Sequence, residues 1–88
     1  MTLSFTVDLS SRASRELGRL PREIKESVSS RIEALADNPF PSGVVKLRGL
    51  KDAYRVRVGR YRILFRVVWE ERGIVVFRIA PRGRAYKP

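Results

Sequence analysis

The segment AYRVRVGRYRILFR, residues 53–66, restricts the fold more than any other part of this chain. Arginine alternates with apolar or aromatic side chains over two short runs, and Gly59 lies between them. Alternation with a period of two is typical of a strand with one buried face, and a glycine between two such runs predicts a tight hairpin. The hairpin places its arginines on one sheet face: Arg55, Arg57, Arg60, Arg62 and Arg66.

A third strand is predicted from GIVVFRIA, after the short connection EERG. The three strands then form an antiparallel meander. Strict alternation puts Phe77 and Ile79 on one face of the third strand and Arg78 on the other.

The first half of the chain predicts one strand and two helices. LSFTVDL at residues 3–9 alternates as a strand, and Ser10 and Ser11 offer an N-cap to a helix that buries Ala13, Leu17 and Leu20. Pro21 suits the first turn of a second helix. That helix carries one apolar stripe before DNPFP ends it. The stripe consists of Ile24, Val28, Ile32 and Leu35.

These elements predict a small α+β protein with a β-α-α-β-β-β order: an N-terminal strand, a helical hairpin and an antiparallel β-meander. The chain has 88 residues, too few for two hydrophobic cores, so residues 1–88 are expected to form a single domain. SGVVKLRGLKD predicts a loop with a short extended piece before the meander. The helices are expected to pack on one sheet face and to leave the other to water.

The positive charge is confined to half of the chain. The formal net charge is +10, yet six basic and six acidic residues cancel in residues 1–44, whereas residues 45–88 hold thirteen basic and three acidic ones. A solubilising charge would be spread evenly, so this asymmetry favours a surface that binds a polyanion.

Several kinds of site are excluded by composition. The chain has no cysteine and no histidine, which rules out disulfides, thiolate zinc sites and a histidine general base. No apolar run reaches the roughly 20 residues of a membrane span, and the N-terminus lacks the pattern of a signal peptide. We therefore expect a cytoplasmic protein that does not enter a membrane.

A single exposed arginine on a strand is usually just solvated, but the cluster favours an anion-binding face. RNA cleavage by a 2′-hydroxyl needs proton removal, charge stabilisation at phosphorus and protonation of the leaving oxygen. Guanidinium groups suit the second task and not the first, because arginine keeps its proton.

Tyr54 and Tyr61 are interpreted as core aromatics, and Trp69 as a core or edge filler.

Two segments, KLRGLKDAYRVRVGRYRILFRV and IAPRGRAYK, together with the order of elements, resemble the RelE/ParE superfamily of bacterial and archaeal toxins. The resemblance spans essentially the whole chain and is nearest to the RelE branch. It implies an mRNA interferase that cuts messenger RNA in the ribosomal A site, leaving a 2′,3′-cyclic phosphate and a 5′-hydroxyl. It implies no metal or other cofactor.

The resemblance also assigns residues by position. Arg55 and Arg57 match the two basic residues of the Tyr-basic-x-basic strand, of which the second is a proposed general base and is often lysine in relatives. Arg62 matches a phosphate-stabilising position, Arg82 one associated with the leaving group, and Tyr86 one that stacks on or orients the nucleotide. The expected RNA contacts outside this catalytic set are Lys46, Arg48, Lys51, Arg84 and Lys87.

Two positions depart from the family pattern. Pro81 stands where many relatives have histidine, and Arg57 replaces a lysine. Either Arg57 acts only electrostatically, with water or Tyr86 taking the proton, or cleavage is weak.

Three functions remain open from the sequence: a ribosome-dependent endoribonuclease toxin, a ParE-type gyrase inhibitor, and an RNA-binding module without catalysis. The first is preferred because ParE proteins generally lack the complete set of basic residues. The expected partners of an endoribonuclease toxin are mRNA, ribosomal RNA and a cognate acidic antitoxin in a heteromeric complex. No membrane partner is expected.

Overall fold

The computed structural model describes residues 4–81, which form a five-stranded sheet with two helices on one face. The elements are β1 Thr6–Leu9, α1 Ser11–Gly18, α2 Arg22–Leu35, β2 Val45–Lys46, β3 Ala53–Val58, β4 Tyr61–Val68, a 3₁₀ turn Trp69–Glu71 and β5 Gly73–Pro81. The predicted α+β order is confirmed, and the short extended piece before the meander is β2. Neither helix of the described part is long and apolar enough to cross a membrane.

The sheet has the strand order β1-β5-β4-β3-β2. Strand β1 lies parallel to β5, with Val7 opposite Ile74, and every other neighbouring pair is antiparallel. The first and last strands of the described chain are therefore neighbours. The β3–β4 hairpin turns through Gly59, whose φ of 56° is a left-handed value that glycine adopts without strain.

The two helices cover the face that the alternation predicted to be apolar. Ser10 caps α1, its Oγ accepting a hydrogen bond from the Ala13 N–H at 3.1 Å. Pro21 is the N-cap of α2, one residue before the position expected for it. Val28, Ile32 and Leu35 are buried as predicted. They pack in the main core with residues from three strands. Those strand residues are Val56, Ile63, Phe65, Val67, Ile74, Val76 and Ile79.

Strand β5 contains a β-bulge that the sequence analysis did not predict. Leu64 of β4 lies opposite Arg78, whereas Phe65 lies opposite Val76, so Phe77 is an extra residue in β5. The bulge resets the alternation. Phe77 and Ile79 consequently lie on opposite faces, and the prediction that they share one was wrong: Ile79 belongs to the main core, while Phe77 packs on the other side of the sheet.

Glu16 of α1 holds this bulge. Its Oε1 accepts a hydrogen bond from the Ile79 N–H at 2.7 Å, and its Oε2 accepts one from Nε of Arg78 at 2.9 Å. The backbone N–H of Ser10 donates to the carbonyl of Val76 at 2.9 Å, next to the extra residue. Ser10 and Glu16 thus hydrogen-bond the backbone of β5 on both sides of the extra residue.

Replacing Glu16 with alanine is expected to lower the free energy of unfolding by about 2 kcal/mol, because it leaves the Ile79 N–H and the half-buried Arg78 without their acceptor. Urea unfolding followed by circular dichroism measures this. Glu26→Ala is the matched control, since the Arg22–Glu26 ion pair is exposed, spans 3.8 Å and contributes at most about 0.5 kcal/mol. Equal losses in the two variants would contradict the role given to Glu16.

Candidate nucleic-acid interface

Four arginines of the hairpin lie on the sheet face away from the helices, and we call this group the cationic face. Its members are Arg55, Arg57, Arg62 and Arg66. Their common side follows from the register, in which Arg57 pairs with Arg62, and Arg55 with Leu64. Arg60, which was predicted on the same side, lies in the turn between β3 and β4. The predicted clustering of strand arginines is therefore present.

The sequence predicted that this face would be open to water. In the structure, part of it is covered. Arg62 is only 8% exposed, Arg55 is half-buried, and Arg57 and Arg66 are exposed. A second, smaller hydrophobic cluster forms here because the loop after β2 packs back on the sheet, with the Leu47 N–H donating to the Ala53 carbonyl at 2.8 Å. The cluster consists of Leu47, Ala53, Leu64 and Ala80, with Phe77 at its edge.

Arg57 and Arg62 form the central pair of the cationic face. They lie directly opposite each other on β3 and β4, and Arg62 is flanked on its other side by Ala80 of β5. Like charges at directly opposed strand positions destabilise a sheet. The forked donors of guanidinium groups match phosphate oxygens, so this pair suits an anionic ligand.

Lys46 at the end of β2 and Arg48 and Lys51 in the loop after it lie at the edge of the sheet. Lys46 pairs with Tyr54, whose ring stacks on Phe65 of the main core, so the register assigns Lys46 to the helix-covered side. Arg48 and Lys51 are exposed. With Lys46 they line a concavity of about 690 Å³ formed by residues 46–52. Lys46, Arg48 and Lys51, which were predicted as RNA contacts, therefore lie together at the edge of the sheet.

Four of the residues assigned from the resemblance lie outside the described residues: Arg82, Arg84, Tyr86 and Lys87. Their roles stay predictions. The last described residue, Pro81, pairs with Tyr61 beside the Arg62–Ala80 pair, so β5 ends at the same end of the sheet as the Arg57–Arg62 pair.

Trp69 was interpreted as a core or edge filler, and at 49% exposure it lies at the edge and not in the core. Its ring stacks on Phe40 at a centroid distance of 5.6 Å, and the ring of Phe5 meets it edge-on at 6.0 Å. The signal for exposure was present in the sequence, because Trp69 precedes two acidic residues at the end of a strand. The contact between Glu16 and β5 was also not predicted from the sequence, because no local pattern indicates it.

Comparison with known proteins identifies the family. The family model described as the ParE toxin of the type II toxin–antitoxin system parDE matches residues 7–86. The RelE1 protein of Methanocaldococcus jannaschii is 33% identical over 88 residues, covering 97% of this chain and 98% of that protein.

Solved structures agree with this result. A chain of the archaeal RelE–RelB complex from Pyrococcus horikoshii OT3 matches with a TM-score of 0.81 and 30% identity, covering 93% of this chain and 99% of that chain. A chain of the RelBE2 toxin–antitoxin complex of Mycobacterium tuberculosis matches with a TM-score of 0.79 and 30% identity, covering 90% and 99%. The isolated Escherichia coli RelE toxin, at 22% identity and a TM-score of 0.80, covering 94% and 89%, shares the fold. The chain belongs to the RelE/ParE superfamily of type II toxin–antitoxin toxins.

Proposed function

We propose that this toxin is a ribosome-dependent endoribonuclease that cleaves mRNA in the ribosomal A site. The observation that carries the proposal is the direct pairing of Arg57 and Arg62, with Arg55 two residues away on the same face. Negative charge builds on the phosphate oxygens when a 2′-hydroxyl attacks the adjacent phosphorus. Adjacent guanidinium groups suit the stabilisation of that charge.

In the proposed reaction the 2′-oxygen bonds to phosphorus and the bond from phosphorus to the 5′-oxygen breaks. The products are a 2′,3′-cyclic phosphate and a 5′-hydroxyl. Arg57 and Arg62 bind the non-bridging oxygens, Arg82 stabilises negative charge on the leaving 5′-oxygen, which takes its proton from water, and Tyr86 orients the nucleotide. Because arginine keeps its proton, the proton of the 2′-hydroxyl leaves to water or to Tyr86.

Mapping mRNA cleavage in a translating extract tests this proposal. We expect the wild-type protein to produce cuts with 2′,3′-cyclic phosphate ends and Arg82→Ala to reduce them about 100-fold, since it removes charge stabilisation at the leaving group. Arg22→Ala, on the outer side of α2, removes the same charge at an exposed position and serves as the control. Cuts that persist unchanged in Arg82→Ala would contradict the catalytic assignment.

A second candidate function is inhibition of DNA gyrase. The observation that favours it is the family model, whose description names ParE toxins. A gyrase supercoiling assay with the same wild-type protein separates the two functions. Inhibited supercoiling together with intact mRNA would replace the first proposal by the second.

The proposal includes a cognate acidic antitoxin in the cytoplasm. Two sets of observations support such a partner: related toxins from Pyrococcus horikoshii and Mycobacterium tuberculosis occur in toxin–antitoxin complexes, and this chain has a net charge of +10 concentrated in its second half. Opposite charge on a partner speeds association and favours the correct complex. An acidic segment laid on the cationic face would also block access of RNA to it.

A further inference from the structure

A concavity of about 490 Å³ lies where β4 leaves the sheet, at one end of the cationic face. Its lining residues are Lys51, Asp52, Arg66, Val67, Val68, Trp69 and Glu70. Arg66 belongs to the cationic face, and Lys51 and Asp52 also line the concavity of loop residues 46–52. The concavity at the end of β4 therefore has both Arg66 of the cationic face and Trp69 in its lining.

Trp69 is the largest exposed apolar side chain of the described residues, and two aromatic rings pack against it. The ring of Phe40 stacks on it with an interplanar angle of 23°, and Phe5 supports it from another side at 75°. Phe40 is itself 38% exposed. An indole that is exposed and also immobilised offers a flat contact surface at low cost in conformational entropy.

The charged groups around Trp69 indicate the chemistry of the ligand. Lys51 and Arg66 suit a phosphate group. Asp52 and Glu70 accept hydrogen bonds, and the exocyclic amino groups of adenine, cytosine and guanine are matching donors. A flat aromatic ring beside two cations and two carboxylates fits a nucleotide better than an apolar peptide side chain, which would leave all four charges without a partner.

We propose that this concavity is a subsite for one unpaired nucleotide of the RNA substrate. The base stacks on Trp69, and its phosphate contacts Lys51 and Arg66. Arg66 lies four residues along β4 from Arg62, about 13 Å at the rise of a strand, so the nucleotide bound here flanks the cleaved one. This inference rests on the proposed function, because it assumes that RNA is the substrate.

The test uses the fluorescence of Trp69, which is the only tryptophan of the chain. The probe is a short single-stranded 2′-O-methyl oligonucleotide, which binds but lacks the attacking hydroxyl. We expect saturable quenching of Trp69, and loss of that quenching when one particular nucleotide of the probe is made abasic. Affinity is measured separately from the fluorescence anisotropy of end-labelled probe.

Variants give the second readout. Trp69→Ala is expected to weaken binding of the probe roughly tenfold, and Trp69→Phe to restore most of it, because phenylalanine keeps a stacking surface. Arg66→Ala should also weaken binding and reduce the salt dependence of the affinity. Arg22→Ala removes the same charge from the exposed side of α2 and is expected to change the affinity little.

Four outcomes would overturn the subsite, and they differ in what they say about the proposed function. If anisotropy shows binding while Trp69 emission stays constant, the subsite is wrong and RNA binding stands. If the probe does not bind although the translating extract shows mRNA cleavage, the ribosome supplies the recognition and the subsite is again wrong. Absence of both binding and cleavage would contradict the proposed function itself. Quenching by an acidic peptide and not by the probe would make this surface a protein interface.

Discussion

Replacing Arg57 with threonine is expected to lower the rate of mRNA cleavage about 100-fold and to raise the stability of the protein slightly. The loss of rate follows from removing a guanidinium group that stabilises charge on the phosphate. The gain in stability, a few tenths of a kcal/mol, follows from removing a like charge opposite Arg62 and from the strand preference of threonine. Arg57 is exposed, so the substitution leaves no cavity.

Two measurements on the same preparation separate these effects: single-turnover cleavage on programmed ribosomes, and urea unfolding. Arg31→Gln, on the exposed side of α2, lowers the net charge equally and should leave both values nearly unchanged. A variant that is less stable as well as inactive would mean that Arg57 contributes to the fold. An unchanged rate of cleavage would show that Arg57 is not a catalytic residue.

Replacing Arg57 with lysine is expected to make cleavage depend on pH and to accelerate it about tenfold or more in mildly alkaline solution. A neutral lysine is a general base, and general base catalysis typically contributes at least a hundredfold. The amine of lysine has an ordinary pKa of about 10.4, so its neutral fraction grows about tenfold with each unit of pH below that value, whereas arginine keeps its proton. The rate should therefore rise with pH until it reaches that pKa and then level off.

Single-turnover cleavage at saturating protein, measured from about pH 6.5 to 9, reports this profile against that of the wild type. We expect the slope of log rate against pH to be larger for the variant, because arginine does not lose its proton over this range. The same slope in both proteins would show that the proton acceptor lies elsewhere. In that case Tyr86→Phe is the next variant, since the phenol is the other group named for this step.

The hairpin and the cationic face could be predicted because their signals are local. Alternation of arginine with apolar residues assigns each side chain of β3 and β4 to a face, and Gly59 sets the register between them. The apolar stripe on α2 is local in the same way. The face assignments of Arg55, Arg57, Arg62 and Arg66 were therefore correct before any tertiary contact was known.

The details of β5 could not be predicted, because they depend on a residue far away in the chain. The run from Ile74 to Phe77 is entirely apolar, so it does not say where alternation is reset. The structure resets it at Phe77, where Glu16 accepts hydrogen bonds from Arg78 and Ile79. Strict alternation therefore gave the wrong face for Phe77.

By itself, the sequence determined the class of fold, the two hairpins, the side of the sheet that carries arginine and the resemblance to the RelE/ParE superfamily. The tertiary structure alone decided the parallel pairing of β1 with β5, the burial of Arg62 and the packing of Phe5 and Phe40 against Trp69. The physical reason is that face and turn follow from steric preferences within a few residues. Burial depends instead on which distant segments pack against a side chain, as the ring of Phe40 does against Trp69.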